Sequence, residues 1–440
     1  MSLTRRQFVS STAAASAALS LAPAIHGAQK APTYRTALIG SGWWGMNILK
    51  EALAAGNTQA VALCDVDANA LDLAAGEVES LTNQRPATYG DFRELLDQEE
   101  LDVVIIATPD HWHALNALQA IEAGCHVFIE KPTGHTVQES RAILRAARAA
   151  ERVVQVGLHR RIGPHYREGM QFLKSGQVGE IGMVRMFVHG GGGAETAAPN
   201  GEVPEGLDWD MYCGPAPLRP FNRKIHPGGF RNFLDFANGT LGDWGVHWLD
   251  QLLMWTDEKY PRHVFSTGGR PIKGPAVLND REQTTDAPDS QVAVYRFEGF
   301  TATWEHRRFA RNEAEKHSIG CYFYGSKGTF HMGWRDGWTF YPANTKQQVV
   351  HRPAQHKEPD GHSIDLLWND FTEAIAHKKR PTCDIEVGHL STNLSLLGMV
   401  SYKLGRGITW DGKTERCVQD EEANQLLKRP SRGDWPSPDA

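Results

Sequence analysis

The chain has no excess of positive charge, no apolar stretch long enough to span a bilayer, and no cysteine pair at metal or redox spacing. Acidic side chains outnumber basic ones, 52 to 46, for a net charge of −6 over 440 residues. Non-specific binding to nucleic acid or anionic lipid relies on a basic surface that displaces counterions from phosphate. Neither partner is expected here. A membrane span needs roughly 20 consecutive apolar residues, so stable membrane insertion is not expected either. The cysteines Cys64, Cys125, Cys213, Cys321, Cys383 and Cys417 are scattered, which argues against a zinc knuckle, a redox motif or a disulfide framework. Cys64 and Cys125 sit in or beside apolar runs and read as small buried hydrophobes. His111 and His113 alternate without a third nearby ligand, so no metal is expected. No internal repeat is present. What remains is an ordinary globular composition, 41% hydrophobic and 22% charged, with length for two or three domains. Its 13 Trp and 19 His call for an explanation.

The first residues run Thr4, Arg5, Arg6, Gln7, Phe8, Val9 into an uncharged Ser/Ala/Leu stretch and an Ala22, Pro23, Ala24 triplet. This resembles a twin-arginine export signal. Residues 1–28 are therefore expected to be a leader, and losing Arg5 and Arg6 with it takes the charge from −6 to −8. The expected location is the periplasm or otherwise outside the cytoplasm, with the twin-arginine export machinery as a transient partner. That route resembles one for proteins that fold, and often take up a cofactor, before crossing. Folding under reducing conditions would also leave six thiols unpaired.

The mature chain opens on an apolar strand, Tyr34 to Ile39, followed at once by Gly40, Ser41, Gly42, Trp43, Trp44, Gly45 and a helical pattern. In this position the glycines permit a tight turn, close approach of backbone to a pyrophosphate, and helix packing on strand. A second strand, Ala60 to Cys64, ends at Asp65, about 20 residues beyond Gly45, the distance at which a carboxylate reaches the adenosine ribose. Asp65 accepts both ribose hydroxyls and repels a 2′-phosphate, which favours NAD over NADP. Trp43 and Trp44 can lie against the nicotinamide, over the cleft, or between helix and sheet. Strands at Leu101 to Ala107, His126 to Ile129 and Val153 to Gly157 then alternate with helices at His113 to Ala123 and Val137 to Ala149. The pattern predicts a parallel, doubly covered sheet over residues 33–158, a Rossmann domain whose ligand crevice lies beyond the strand ends. Thr108, Pro109 and His113 fall at one such end, and Glu130, Lys131 and Pro132 at another.

These residues, with Ala123-Gly124-Cys125-His126-Val127 before Glu130 and with Gly242, Asp243 and His247 later, resemble the glucose-fructose oxidoreductase, inositol dehydrogenase and rhizopine catabolism (Gfo/Idh/MocA) family. Leu207-Asp208-Trp209 and Gly214-Pro215-Ala216-Pro217 resemble its exported branch. The resemblance implies NAD, contacted by Gly40, Ser41, Gly42, Trp43, Trp44, Gly45, Asp65, Thr108, Pro109, His113, Glu130 and Lys131, and because no diffusible NAD pool is expected outside the cytoplasm, the cofactor is expected to be tightly held. It makes Lys131 a catalytic lysine, and an ammonium is suited to stabilising charge on a sugar oxygen. Pro132 resembles the family's cis-proline turn. Asp243 and His247, four apart, would share a helix face. His247 would take the hydroxyl proton while Asp243 orients the imidazole, favours its protonated form or contacts a neighbouring hydroxyl. A structural i,i+4 pair is the alternative.

From residue 159 to 440 the rhythm changes to an α+β pattern with a large, predominantly antiparallel open sheet, including strands at Met183 to His189, Gln291 to Phe297, Thr301 to Glu305, Cys321 to Tyr324 and Thr329 to His331. Gly325-Ser326-Lys327-Gly328 reads as a hairpin turn. His159, Arg160 and Arg161 follow the last strand of the first half, and Arg161 is a candidate for substrate hydroxyls or a carboxylate, or else an exposed turn residue. The Gly/Pro-rich insertion from Gly190 to Phe230 is too long for a connector. Its Tyr212 and His226 are candidate sugar contacts, with Arg231 just beyond, while Trp209 reads as an anchor. The expected activity is hydride transfer between a nicotinamide and a secondary hydroxyl or ketone of a sugar, cyclitol or glycoside, by a homo-oligomer. The alternatives are an NAD-dependent glycosidase that works by transient oxidation and elimination, and a non-catalytic sugar-binding relative.

Overall fold

The structure is a computed structural model and describes residues 33–438. The expected leader, residues 1–28, lies outside the described residues. The first sheet contains β1 (Tyr34–Ile39), β2 (Thr58–Cys64), β3 (Ala87–Tyr89), β4 (Val103–Ile106), β5 (His126–Ile129) and β6 (Val154–Val156). They lie in the order β3-β2-β1-β4-β5-β6, and every pair is parallel. Val103, Val104, Ile105 and Ile106 have no solvent exposure on either face, as a strand covered on both sides requires. Strand order reverses between β1 and β4, so a crevice opens beyond their carboxyl ends.

The glycine-rich turn is built as its spacing implies. Gly40 holds φ at +93°, and a Cβ there would stand 2.7 Å from the Ala107 carbonyl carbon. A Cβ on Gly45 would stand 2.1 Å from the Gly40 oxygen, so only glycine lets the helix Trp43–Ala54 approach the sheet this closely. Around Gly42, by contrast, a Cβ would meet nothing within 4 Å, because that backbone faces the crevice. The later helix Val137–Ala149 starts on a capping box between Thr136 and Glu139. The stretch after Asp65, where the hydrophobic period is weak, folds into the helix Ala68–Thr82, the short β3 and the helix Phe92–Gln98.

The second sheet draws on β7 (Ile181–His189), β9 (His263–Gly269), β11 (Ser290–Arg296), β12 (Thr301–Arg307), β13 (Ile319–Gly325), β14 (Gly328–Gly333), β15 (Trp338–Pro342), β16 (Val350–Arg352), β17 (Ile408–Asp411) and β18 (Arg416–Cys417). Its order is β16-β15-β14-β13-β7-β12-β11-β9-β17-β18, and the β7–β12 pair alone is parallel among those described. Alternate residues such as Val184, Met186, Trp304, Phe323 and Phe330 are buried against Trp248, Leu249 and Leu252 of the helix Val246–Trp255 and Leu397 and Val400 of the helix Ile385–Leu404. Period-two patterning thus selects the covered face. Gly325 pairs with Gly328 across the Ser326-Lys327 turn.

The insertion is not slack. β8 (Ala198–Pro199) pairs with β10 (Glu282–Gln283), and Trp209, Tyr212, Phe221, Phe233 and Phe236 form a small core of their own. Trp209 is the expected anchor, stacked on Tyr212 at 4.7 Å, with its indole N–H donating to the Arg219 carbonyl at 2.7 Å. All six cysteines are buried and unpaired. No helix among the described residues is long and apolar enough to cross a membrane. Because a methyl group at position 45 collides with backbone rather than with a yielding side chain, Gly45→Ala is expected to lower unfolding free energy by roughly 1–3 kcal/mol, read as a lower urea midpoint.

Candidate active site

Both halves of the chain line one cleft that encloses about 450 Å³. At one end the Asp65 carboxylate accepts the Ser41 N–H at 2.7 Å and the Asp67 N–H at 3.0 Å. Burial pushes the Asp65 pKa up, and these amides oppose the shift. Asp67 caps the helix Ala68–Thr82 and stands 3.0 Å from His226 Nε2. Burial raises the Asp67 pKa, but the His226 and amide hydrogen bonds outweigh it and hold the carboxyl below its usual range. The open backbone at Gly42, the helix amides behind it and the half-buried Asp65 fit a dinucleotide, with pyrophosphate over the turn and ribose on the carboxylate.

At the other end, Lys131 leaves β5 through a cis Lys131–Pro132 bond. Its Nζ donates to Asp243 Oδ1 at 2.8 Å and to the Asp243 carbonyl at 3.0 Å. Arg231 Nε donates to the same Oδ1 at 3.3 Å. Burial alone would raise the Asp243 pKa, yet the two cations bring it down to about 2. Glu130 accepts the Lys131 backbone N–H at 3.1 Å and fills space left by Gly157, where a Cβ would stand 2.2 Å from its carboxylate. His113 lies between the carbonyls of Pro132 and Thr108, at 2.6 and 2.8 Å, and so ties the ends of β4 and β5 together.

The expected coupling of Asp243 to His247 needs correction. No hydrogen bond joins them among the described residues, because Leu241–Gly245 is a π-helical turn that precedes the helix Val246–Trp255. The wider i→i+5 winding breaks simple i,i+4 alignment, and Asp243 is drawn instead to Lys131 and Arg231. The His247 ring packs 4.7 Å from that of His159, which stands 3.1 Å from Asp360 Oδ1. Burial, followed by Arg160, Lys131 and His159, pulls the His247 pKa well below 6.5, with Asp360 opposing. The imidazole is therefore neutral.

The 3₁₀ turn His159–Arg161 sends successive side chains apart. His159 and Arg160 line the cleft, whereas Arg161, expected at the substrate, is outside the lining. Its guanidinium is committed to buried Asp250, with contacts of 2.7 to 3.1 Å. His226, also expected at the substrate, stands by Asp67 at the ribose end. Tyr212 lines the cleft wall, and its buried hydroxyl has no partner among the described residues. Trp43, Trp44, Thr108 and Pro109 also line the cleft, as do Asp110 and Asp360, for which no motif predicts a role. Asp110 is buried, and desolvation raises its pKa to about 7 against the pull of Lys131 and Arg231. Its place next to Thr108-Pro109 was a usable signal. Asp360 lies about 200 residues from its partners, with no local motif to mark it.

Residues 34–158 match the family model for the oxidoreductase NAD-binding Rossmann fold, and residues 186–437 match its C-terminal alpha/beta domain. The chain belongs to the Gfo/Idh/MocA oxidoreductase family. In this Gfo/Idh/MocA protein residues 34–158 are thus an NAD-binding Rossmann domain. A glycosyl hydrolase family 109 protein of Stenotrophomonas maltophilia (strain K279a) is 37% identical over 147 residues, covering 32% of each chain. The alpha-N-acetylgalactosaminidase of Shewanella oneidensis is 28% identical over 158 residues, 35% of this chain and 34% of that one. The chain spans about a third of the length of the curated relatives it matches. Among solved structures, levoglucosan dehydrogenase with NADH and levoglucosan shares the fold at TM-score 0.67 and 20% identity, over 86% of this chain and 99% of that one. The aldose-aldose oxidoreductase of Caulobacter crescentus, complexed with glycerol, gives 0.63 and 18% over 86% and 99%.

If Arg161 serves the fold of this Gfo/Idh/MocA protein and not its substrate, Arg161→Ala strands the Asp250 carboxylate, which is 1% exposed. The expected result is a loss of roughly 3–5 kcal/mol in unfolding free energy, measured by denaturant titration.

Proposed function

We propose that this protein is an NAD-dependent oxidoreductase that transfers hydride between the nicotinamide and a secondary hydroxyl or ketone of a sugar, cyclitol or glycoside. The observation that carries the reading is the convergence of Lys131, from the NAD-binding half, and His247, from the second half, on one cleft. Bound NAD would supply the hydride acceptor. In the oxidising direction the neutral imidazole of His247 takes the hydroxyl proton. The Lys131 ammonium, fixed by Asp243, stabilises the oxygen as it gains negative charge. Arg231 shares the Asp243 carboxylate and keeps it ionised, so the carboxylate cannot take the substrate proton itself.

The proposal includes a resident cofactor, export by the twin-arginine route and self-association through the open face of the second sheet. Support for a resident cofactor comes from residues 205–231, several of which line the cleft and which bond to the ribose end. Ala68 N–H donates to the Gly206 carbonyl at 2.8 Å and Asp208 N–H to the Val66 carbonyl at 2.9 Å, while His226 holds Asp67. On this reading, these contacts help retain a bound cofactor at the ribose end. Mass spectrometry of the denatured protein should therefore find NAD, and His226→Ala should lose it more readily during gel filtration. A wild-type protein free of nicotinamide would sink the resident-cofactor reading.

Lys131→Met is expected to lower kcat/KM for sugar-driven NAD reduction by about 10²–10³-fold. Acidification inactivates by protonating His247, so the acid limb of kcat/KM should lie below pH 6.5 in the wild type. Removing the Lys131 cation raises the His247 pKa and should shift that limb to higher pH in the variant. An unchanged limb would count against the assigned base.

The names of the curated relatives favour a second reading, a glycosidase that oxidises, eliminates and re-reduces with no net change in NAD. The Glu130-Lys131-Pro132 sequence speaks for the first. Release of the aryl group from aryl glycosides by the holoprotein, without build-up of reduced nicotinamide, would decide for the second.

A further inference from the structure

Trp43 is 76% exposed although it lines the cleft. Single exposed hydrophobic residues are common on protein surfaces, but this one ends a continuous series of rings. The His247 ring lies 4.7 Å from His159, His159 lies 5.9 Å from Trp44, and Trp44 lies 5.2 Å from Trp43. The series runs from the proposed base at the reaction centre to solvent. Trp44 packs against the Rossmann core, whereas Trp43 is not among the residues that do so. An indole this exposed adds little to the fold, since its burial is what would stabilise.

The cleft also holds polar groups suited to hydroxyls. Arg160 is held by Asp360 at 3.2 Å and lies 4.7 Å over the face of Trp248, and its buried Nη1 has no partner among the described residues. Asp110 adds a buried carboxyl group to the same lining. Aromatic faces interleaved with hydrogen-bonding groups match a pyranose, which offers C–H faces and a rim of hydroxyls.

We propose that Trp43 forms an outer subsite for the substituent on the reacting sugar, so that the preferred substrate is a glycoside whose second sugar ring or aryl group stacks on this indole. The inference rests on the oxidoreductase reading and narrows its substrate class. The unit to be oxidised sits between Lys131 and His247, and the attached group extends along Trp44 to Trp43.

The test uses the NAD-loaded protein, Trp43→Ala and Trp43→Phe, with matched pairs of a monosaccharide and its disaccharide or p-nitrophenyl glycoside. Rates are normalised to NAD content, and binding of the p-nitrophenyl glycosides is measured in parallel by calorimetry. Wild type should prefer the longer member of a pair. Trp43→Ala should reduce that preference, and the glycoside affinity, by about tenfold, as loss of one stacked aromatic contact implies, and Trp43→Phe should restore most of both. An unchanged preference and affinity, an equal loss on both members of each pair, or a changed subunit assembly would overturn the subsite. If no sugar reduces NAD but the glycoside binds with this dependence on Trp43, the subsite stands and the oxidoreductase reading fails.

Discussion

The ion pair between Lys131 and Asp243 joins the two halves of the molecule at the point where chemistry is proposed. Lys131 follows a strand of the parallel sheet, and Asp243 sits in the π-helical turn that leads into a helix packed on the second sheet. Removing two charges from water is unfavourable, so such a pair holds only when geometry and further hydrogen bonds compensate. Here Lys131 makes a second bond to the Asp243 carbonyl, and Arg231 supplies a second cation to the carboxylate. The ammonium is fixed at the cleft, and the relation of the two sheets decides what it faces.

Charge around the cleft follows from that arrangement. Asp243 is spent on two cations and is unavailable as the partner of His247. The imidazole is instead surrounded by Arg160, Lys131 and His159, which together with burial keep it neutral. Asp360 neutralises part of this field by pairing with both His159 and Arg160. A neutral base beside a fixed ammonium is the combination that alcohol oxidation needs.

The same interweaving of the halves covers the cofactor end. The insertion is stiffened by its own aromatic core and strapped to the ends of the Rossmann strands, with the Tyr212 carbonyl accepting from both His111 and Trp112. Near the chain's end, Arg429 donates to the His111 carbonyl and pairs with Glu139, and Trp435 packs on Trp112 at 4.9 Å. Segments distant in sequence thus hold the Thr108-Pro109 loop from both sides. These contacts add rigidity where a ligand must be gripped.

Sequence by itself determined the parallel sheet, the glycine turn, Asp65 as the acid after β2, and the antiparallel character of the second sheet. Each depends on local patterning: apolar runs, period-two alternation, and a glycine, Gly45, whose absent Cβ is demanded by Gly40 five residues away. It also placed Lys131 at a strand end that can face a ligand and His247 on a helix of the second half. Only the tertiary structure decided which charges meet. Arg160 and Arg161 are adjacent and chemically alike, yet one lines the cleft and the other is consumed by Asp250. Asp243 stands four residues before His247 in sequence but bonds across to Lys131, and Asp360 reaches the site from about 200 residues away. Coulomb attraction in a buried site acts on distance in space, and separation along the chain does not record it.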